Sequence, residues 1–274
     1  MQASSAQWTP PAGVLGGIVH EAEARVAQLL SREAALRAAA NAAPAAPSFR
    51  QALRGPSVAI IAEVKRRSPS KGTINAGLSA GEQAAAYAAG GAAAISILTE
   101  PVHFGGSGDD LEDARSRVSI PVLKKDFHVH PVQLLEAKAL GASAVLLIAR
   151  ALSPQLLATM ATAARDLGLD ALVEIRSEEE LERALAVDAQ VIGVNNRNLE
   201  TLEIDSETSA RLIPLIPSGR VAVAESGVHD ASDIQRAATV GADAALVGSS
   251  LSGSADPAAA VRALASIPRC GRGH

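Results

Sequence analysis

From Val14 to Ala40 the apolar positions Val14, Leu15, Ile18, Val19, Ala22, Val26, Leu29 and Leu30 recur at helical spacing, which predicts an amphipathic helix. The proline-broken segment Ala42–Ser48 ends it, because proline cannot continue a helix and biases its predecessor to extended geometry. Beyond that break, short apolar runs alternate with Ala-, Leu- and Glu-rich helical stretches, and the pair recurs eight times. The runs are Val58–Lys65, Ala93–Leu98, Val122–Phe127, Ala144–Ile148, Ala171–Ile175, Val191–Asn196, Val221–Ser226 and Ala244–Gly248. Helices are expected near Ala80–Ala89, Asp109–Arg117, Val132–Leu140, Pro154–Leu167, Glu178–Ala186, Glu207–Leu215, Ala231–Val240 and Pro257–Ala265. Ser153, Ser177, Asp205–Ser206, Asp230 and Asp256 stand where N-caps are needed, and Gly90–Gly91, Gly141, Gly168 and Gly241 where helices stop.

Near-continuous apolar strands are what a parallel sheet covered by helices requires. Eight strand–helix units predict an α/β fold of the (β/α)8 TIM-barrel type, with residues 1–50 as a helical extension packed on a catalytic barrel of residues 51–274. The rival is a doubly wound open sheet, but the glycine fingerprint expected after its first strand is missing.

Polar residues interrupt these apolar runs at their C-terminal ends. Glu63 and Lys65 are two apart and share a face of the first run; Glu174, Asn195 and Glu225 end the fifth, sixth and seventh. In the third run Lys124 and Lys125 point to opposite faces, so one of them faces inward. Ionised groups turned to an interior cost several kcal/mol unless paired, and barrel enzymes place their chemistry on this rim. One such residue alone reads best as a structural ion pair. Five strands agreeing in position read as a catalytic rim. Ala224–Gly227 and Val247–Leu251 each close a strand with Gly and Ser, where barrels offer backbone N–H groups to phosphate; both also suit plain turns. The basic loop Arg66–Gly72 fits either a lid over the site, with Lys71 and its serines, or a solvated surface loop.

Composition narrows the chemistry. Lys+Arg 25 against Asp+Glu 29 gives a net charge of −4, and one Trp, one Tyr and three Phe leave no stacking platform, so no nucleic-acid partner is expected. The single Cys270 excludes an intramolecular disulfide and a Cys-rich zinc site. His128–Val129–His130 resembles a metal-binding pair, yet the other strand ends offer Glu, Asn and Lys rather than further ligands, so no metal is expected. No membrane span and no signal-peptide pattern is present, which together with the cysteine usage predicts a cytoplasmic protein.

Seven blocks follow in order: IAEVKRRSPSKG, ISILTEPVHFGGS, PVLKKDF, LVEI, IGVNNRNLET, VAESGV and ALVGSSL. Together they resemble the indole-3-glycerol phosphate synthase family of tryptophan biosynthesis, over about Ile18–Leu264. The resemblance implies a (β/α)8 barrel with an extra N-terminal helical segment, needing no metal or organic cofactor and usually monomeric. It implies conversion of a phosphorylated small molecule, 1-(2-carboxyphenylamino)-1-deoxyribulose 5-phosphate, to indole-3-glycerol phosphate, CO2 and water. By motif, Lys125 would be the general acid for ring closure, with Glu63, Lys65, Glu174, Asn195 and Glu225 completing the polar set. Gly227, Gly248 and Ser249 would hold the phosphate, helped by Lys65 and Ser68; Phe104, Phe127, Leu146, Arg197 and Leu199 would line the anthranilate end. Glu174 or Glu63 would serve as base in the dehydration, with Lys65 or Lys125 as acid. The chain departs from the family after Phe127, where His128–Gln133 replaces an aliphatic residue followed by Asp-Pro-Tyr-Gln. Two other functions fit the same rim: an isomerase of ribulose-type phosphates, and a binding protein that keeps the fold without catalysis.

Overall fold

Runs rich in Val, Ile, Leu and Ala that are apolar on both faces become strands only where both faces are covered, and the chain satisfies this by closing a sheet inside a ring of helices. The computed structural model describes residues 8–272; the expected domain limits at residues 1 and 274, with the terminal His274, lie outside the described residues. The barrel strands are β1 (Ala59–Val64), β2 (Ala94–Leu98), β3 (Val122–Lys125), β4 (Ala144–Ile148), β5 (Asp170–Ile175), β6 (Val191–Asn195), β7 (Val221–Glu225) and β8 (Ala244–Val247). All neighbours pair in parallel, and β1 closes the cylinder between β2 and β8, with Ala59 opposite Ala244 and Ile61 opposite Ala94. The sheet is a closed barrel, so the open-sheet alternative is set aside.

Twelve α-helices surround it among the described residues: α1 (Gly13–Leu30), α2 (Glu33–Ala42), α3 (Phe49–Ala52), α4 (Ala80–Ala89), α5 (Gly108–Arg117), α6 (Pro131–Ala139), α7 (Pro154–Asp166), α8 (Glu178–Ala186), α9 (Glu207–Leu212), α10 (Ala231–Thr239), α11 (Ser249–Ser252) and α12 (Pro257–Leu264). The caps work largely as expected. Ser153, Ser177, Asp230 and Asp256 each accept a backbone N–H of the first turn, a contact typically worth about 1 kcal/mol. At Asp205–Ser206 the work falls to Asp205, which accepts from Glu207 N at 3.1 Å.

Two helices differ from expectation. The amphipathic stretch from Val14 to Ala40 is two helices, broken at Ser31 and Arg32; the turn lets Leu36 and Ala40 of α2 be buried while α2 packs on α6. The helix expected to reach Leu215 tightens into a 3-10 turn over Ile213–Leu215, because Pro214 has no N–H to donate back along an α-helix. Among the described residues, no helix is long and apolar enough to cross a membrane.

Candidate active site

The strand periodicity decides which polar groups face inward. On β1, Glu63 enters the barrel, and Lys65 just beyond it returns Nζ to Glu63 Oε1 at 2.8 Å. On β3 the two lysines part company. Lys125 turns inward, its Nζ 3.7 Å from Glu63 Oε2, while Lys124 points to the helix layer and pairs with Asp126 at 3.3 Å and Glu136 at 3.1 Å. From β5 and β6, Asn195 Nδ2 donates to Glu174 Oε1 at 2.8 Å, and Asn195 Oδ1 accepts the Arg197 N–H at 2.9 Å. Glu225, at the end of β7, leans over β6, where a Cβ on Gly193 would overlap its carboxylate. Only glycine at that register leaves room for the acid.

Glu63, Glu174 and Glu225 are all at most 3% exposed, yet each keeps one carboxylate oxygen without a hydrogen-bond partner. Such orphaned acceptors are rare in protein interiors and mark places where a ligand is due. Electrostatics sort the group. Burial favours the neutral acid in Glu63, but Lys65 and then Lys125 outweigh it and hold its pKa below the ordinary value. Burial likewise opposes the Lys125 ammonium, and the charges of Glu63, Glu174 and Glu225 overcome this and raise its pKa. Glu225 goes the other way: burial, then the neighbouring Glu174, push its pKa well above the carboxylate range against the pull of Lys125. The surroundings therefore favour the ammonium of Lys125, the ionised form of Glu63 and the protonated form of Glu225.

These groups open on a cavity of about 1130 Å3, counting its mouth. Its lining is of two kinds. Phe104 and Phe127, with ring centroids 6.2 Å apart, contribute with Leu146, Leu199 and Arg197. Ser68, Gly227, Gly248 and Ser249 line it as well. Ser226, between Glu225 and Gly227, sits at φ +63°, a conformation that costs a non-glycine residue about 1–3 kcal/mol. Its carbonyl is held by Asn196 Nδ2 at 3.0 Å, so the neighbours Asn195 and Asn196 divide between the cavity and the turn beside it. The loop from Arg66 forms a small hairpin, Arg67–Ser68 against Gly72–Thr73, and Ser68, Pro69, Ser70 and Lys71 line the cavity. Arg66 anchors its start with two bonds to Asp110, of 2.6 and 2.7 Å.

A profile of the indole-3-glycerol phosphate synthase family matches residues 15–264. The chain belongs to that family. It is 47% identical over 254 residues to indole-3-glycerol phosphate synthase 2 of Streptomyces coelicolor, covering 92% of this chain and 98% of the relative. The synthase of Rhodococcus jostii is 49% identical over 248 residues, 90% of this chain and 91% of its own. The synthase of Mycobacterium leprae is 48% identical over 256 residues, 92% and 93%. A solved thiamine phosphate pyrophosphorylase from Pyrococcus furiosus superposes with a TM-score of 0.58 at 16% identity, covering 79% of this chain and 96% of that one, a likeness of fold.

In this synthase-family barrel all the residues given a catalytic, phosphate or anthranilate role from the sequence line one cavity, while Lys124, His128 and His130 do not. Sequence reading missed the contribution of the N-terminal helix. Val14, Leu15 and Ile18 of α1 also line the cavity, and helical spacing could not tell that wall from an ordinary packing face. Three clamps lay α1 across the rim: Glu200 accepts from Ala12 N at 2.7 Å, Glu21 meets His103 Nε2 at 2.9 Å, and Arg25 donates to Asp126 at 2.9 Å. Glu21, Glu100 and His103 bring ligand-type atoms within 4.8 Å of one another, but both Glu100 oxygens already accept backbone N–H groups of Val102, His103 and Phe104. The group pins the β2 loop to α1.

The departure after Phe127 resolves into packing. His128 Nδ1 meets the Leu146 carbonyl at 2.8 Å, and burial, with Lys124 nearby, drops its pKa to about 3, so the ring stays neutral. His130 caps α6 by accepting from Val132 N at 3.1 Å. The two histidines serve different neighbours and do not converge as a ligand pair.

Proposed function

We propose that this chain is an indole-3-glycerol phosphate synthase, a carboxy-lyase of tryptophan biosynthesis, with the site residues acting as follows. Among the described residues, 51–272 form the catalytic barrel and 8–50 the extension that completes its wall. The single observation that carries the reading is Lys125, an inward-facing ammonium whose charge is favoured by the buried Glu63 and Glu174, in a cavity lined by both apolar and glycine–serine segments.

The substrate's ring carbon bearing the carboxylate must attack a ketone, a poor electrophile until its oxygen is protonated. Lys125 supplies that proton as the alkoxide develops, and its raised pKa lets it recapture one afterwards. Loss of CO2 returns the electron pair to the ring and restores aromaticity. The hydroxyl lost in the last step is the former ketone oxygen, so the acid already beside it is best placed to protonate it again. The matching base is Glu174. Asn195 fixes its Oε1, whereas Glu63 is quenched by two ammonium groups, and burial and Glu174 itself favour the protonated form of Glu225. Lys65 neutralises Glu63 and reaches toward Gly248, which suits it to the phosphate with Ser68, Gly227 and Ser249. Phe104, Phe127, Leu146 and Leu199 take the aromatic ring, and Arg197, which lines the same cavity, takes charge beside it. Holding both ends of the substrate brings ring carbon and ketone together, using binding energy from groups that do not react.

Purified protein given the carboxyphenylamino substrate will develop indole fluorescence, and Lys125→Ala will lower kcat by about 100- to 10,000-fold while leaving the fold intact by circular dichroism. A folded wild-type chain that makes no indole product, or a Lys125→Ala variant as fast as wild type, overturns the proposal.

A further inference from the structure

We infer that Ser252 is a positioning residue for Lys65, joining the helix that carries Ser249 to the end of β1 so that ammonium and phosphate contacts are held as one unit. This rests on the reading that Gly248 and Ser249 receive the substrate phosphate.

The argument begins in the ladder. Ala59 N–H bonds to Asp243 O, so alternate residues of β1 from Ala59 onward, Ile61, Glu63 and Lys65, turn their backbone groups toward β8. β8 ends at Val247, opposite Ala62, and the chain turns away into α11. The Glu63 carbonyl and the Lys65 N–H are thus left facing a strand that has stopped. The Ser252 hydroxyl takes its place. Ser252 Oγ donates to Glu63 O at 2.9 Å and accepts from Lys65 N at 3.1 Å. The Tyr87 hydroxyl lies 3.3 Å from the same oxygen and 3.4 Å from Glu63 O, within reach of both. Ser252 is 1% exposed, so water cannot replace it there.

The same two residues meet α11's other end through their side chains. A Cβ on Gly248 would come within 2.5 Å of Glu63 Oε1 and 2.9 Å of Lys65 Nζ. Main chain and side chain of Lys65 are therefore both registered against one four-residue helix, at Ser252 and at Gly248. Without the Ser252 hydroxyl the Lys65 N–H loses its partner and the Glu63 carbonyl keeps only the longer bond from the Tyr87 hydroxyl, at 3.4 Å, so the end of β1 must shift to satisfy them. The shift moves Lys65 away from the glycine–serine turn.

The test is calorimetric titration of the full chain with inorganic phosphate, alongside steady-state kinetics. Ser252→Ala should bind phosphate about tenfold more weakly and raise KM by a similar factor, while kcat changes much less. In a Lys65→Met background, adding Ser252→Ala should weaken phosphate by no more than about twofold, because the residue through which Ser252 acts is gone. Ser252→Cys keeps the volume and a weak acceptor, and should fall between the two; it decides the matter if the alanine variant does not fold. Wild-type phosphate affinity in Ser252→Ala, or the same loss with and without Lys65, overturns the inference and leaves the phosphate site standing. A wild-type chain that binds no phosphate removes that site and this inference together.

Discussion

Asp243 and Glu225 are carboxylates on adjoining strands at opposite ends of the barrel, both at most 4% exposed, and they are treated in opposite ways. Asp243 lies at the N-terminal face, just before β8. It pairs with Arg269 at 2.9 Å and Arg272 at 2.8 Å and accepts the Ala222 N–H at 2.8 Å. The C-terminal tail thereby bolts the seam where β8 meets β1, beside the bond from Val58 N to Ile267 O. Glu225, at the C-terminal rim, has no cationic side chain bonded to it among the described residues, and burial and the neighbouring Glu174 favour its protonated form. A buried charge with all its partners holds a structure together; one kept short of partners is poised for something that is not yet there. The floor of the barrel is built for stability and its rim for chemistry.

Three changes would break or sharpen that contrast. The largest belongs to the floor. Asp243→Ala leaves the Arg272 guanidinium, 3% exposed, without its carboxylate, and should cost about 3–5 kcal/mol in urea unfolding with kcat per folded molecule unchanged. A loss of activity out of proportion to the folded fraction would put Asp243 in the catalytic system and erase the distinction. Next is the rim's packing. Gly193→Ala drives a methyl group into the Glu225 carboxylate and should cost about 1–3 kcal/mol, together with a fall in kcat that Asp243→Ala does not share.

The smallest effect is a pH dependence. Glu225 holds its proton more tightly in the folded chain than in the unfolded one, whose glutamates release theirs near pH 4.5. Its contribution to stability is complete below that pH and is lost as the pH rises through the raised folded value, by at most about 1.4 kcal/mol per pH unit. Glu225→Gln removes that loss. The stability of Glu225→Gln relative to wild type should therefore climb with pH above 4.5, while its kcat falls. A difference in stability that is flat with pH would show that Glu225 ionises in the folded chain as it does in the unfolded one.

Periodicity alone carried the barrel. Strands apolar on both faces can be satisfied only between helices, and eight of them in strict alternation with helices leave a closed sheet as the simplest solution. The rim was legible for the same reason: Glu63, Glu174, Asn195 and Glu225 are conspicuous because each breaks an apolar run at its C-terminal end. Local pattern failed where its signal was shared by two outcomes. Val14, Leu15 and Ile18 satisfy helical spacing equally well as cavity wall or as buried filler, and the hydroxyl of Ser252 looks like any other serine in a turn. Nor did the pattern state which of Lys124 and Lys125 enters the barrel, since adjacent residues on a strand differ only in the face they reach. Closure of the barrel chose Lys125 for the interior, placed Glu225 against Glu174 and laid its carboxylate over Gly193. Protonation follows from those distances and burials, which arise between strands far apart in the chain, so it belongs to the folded molecule and has no counterpart in any single segment.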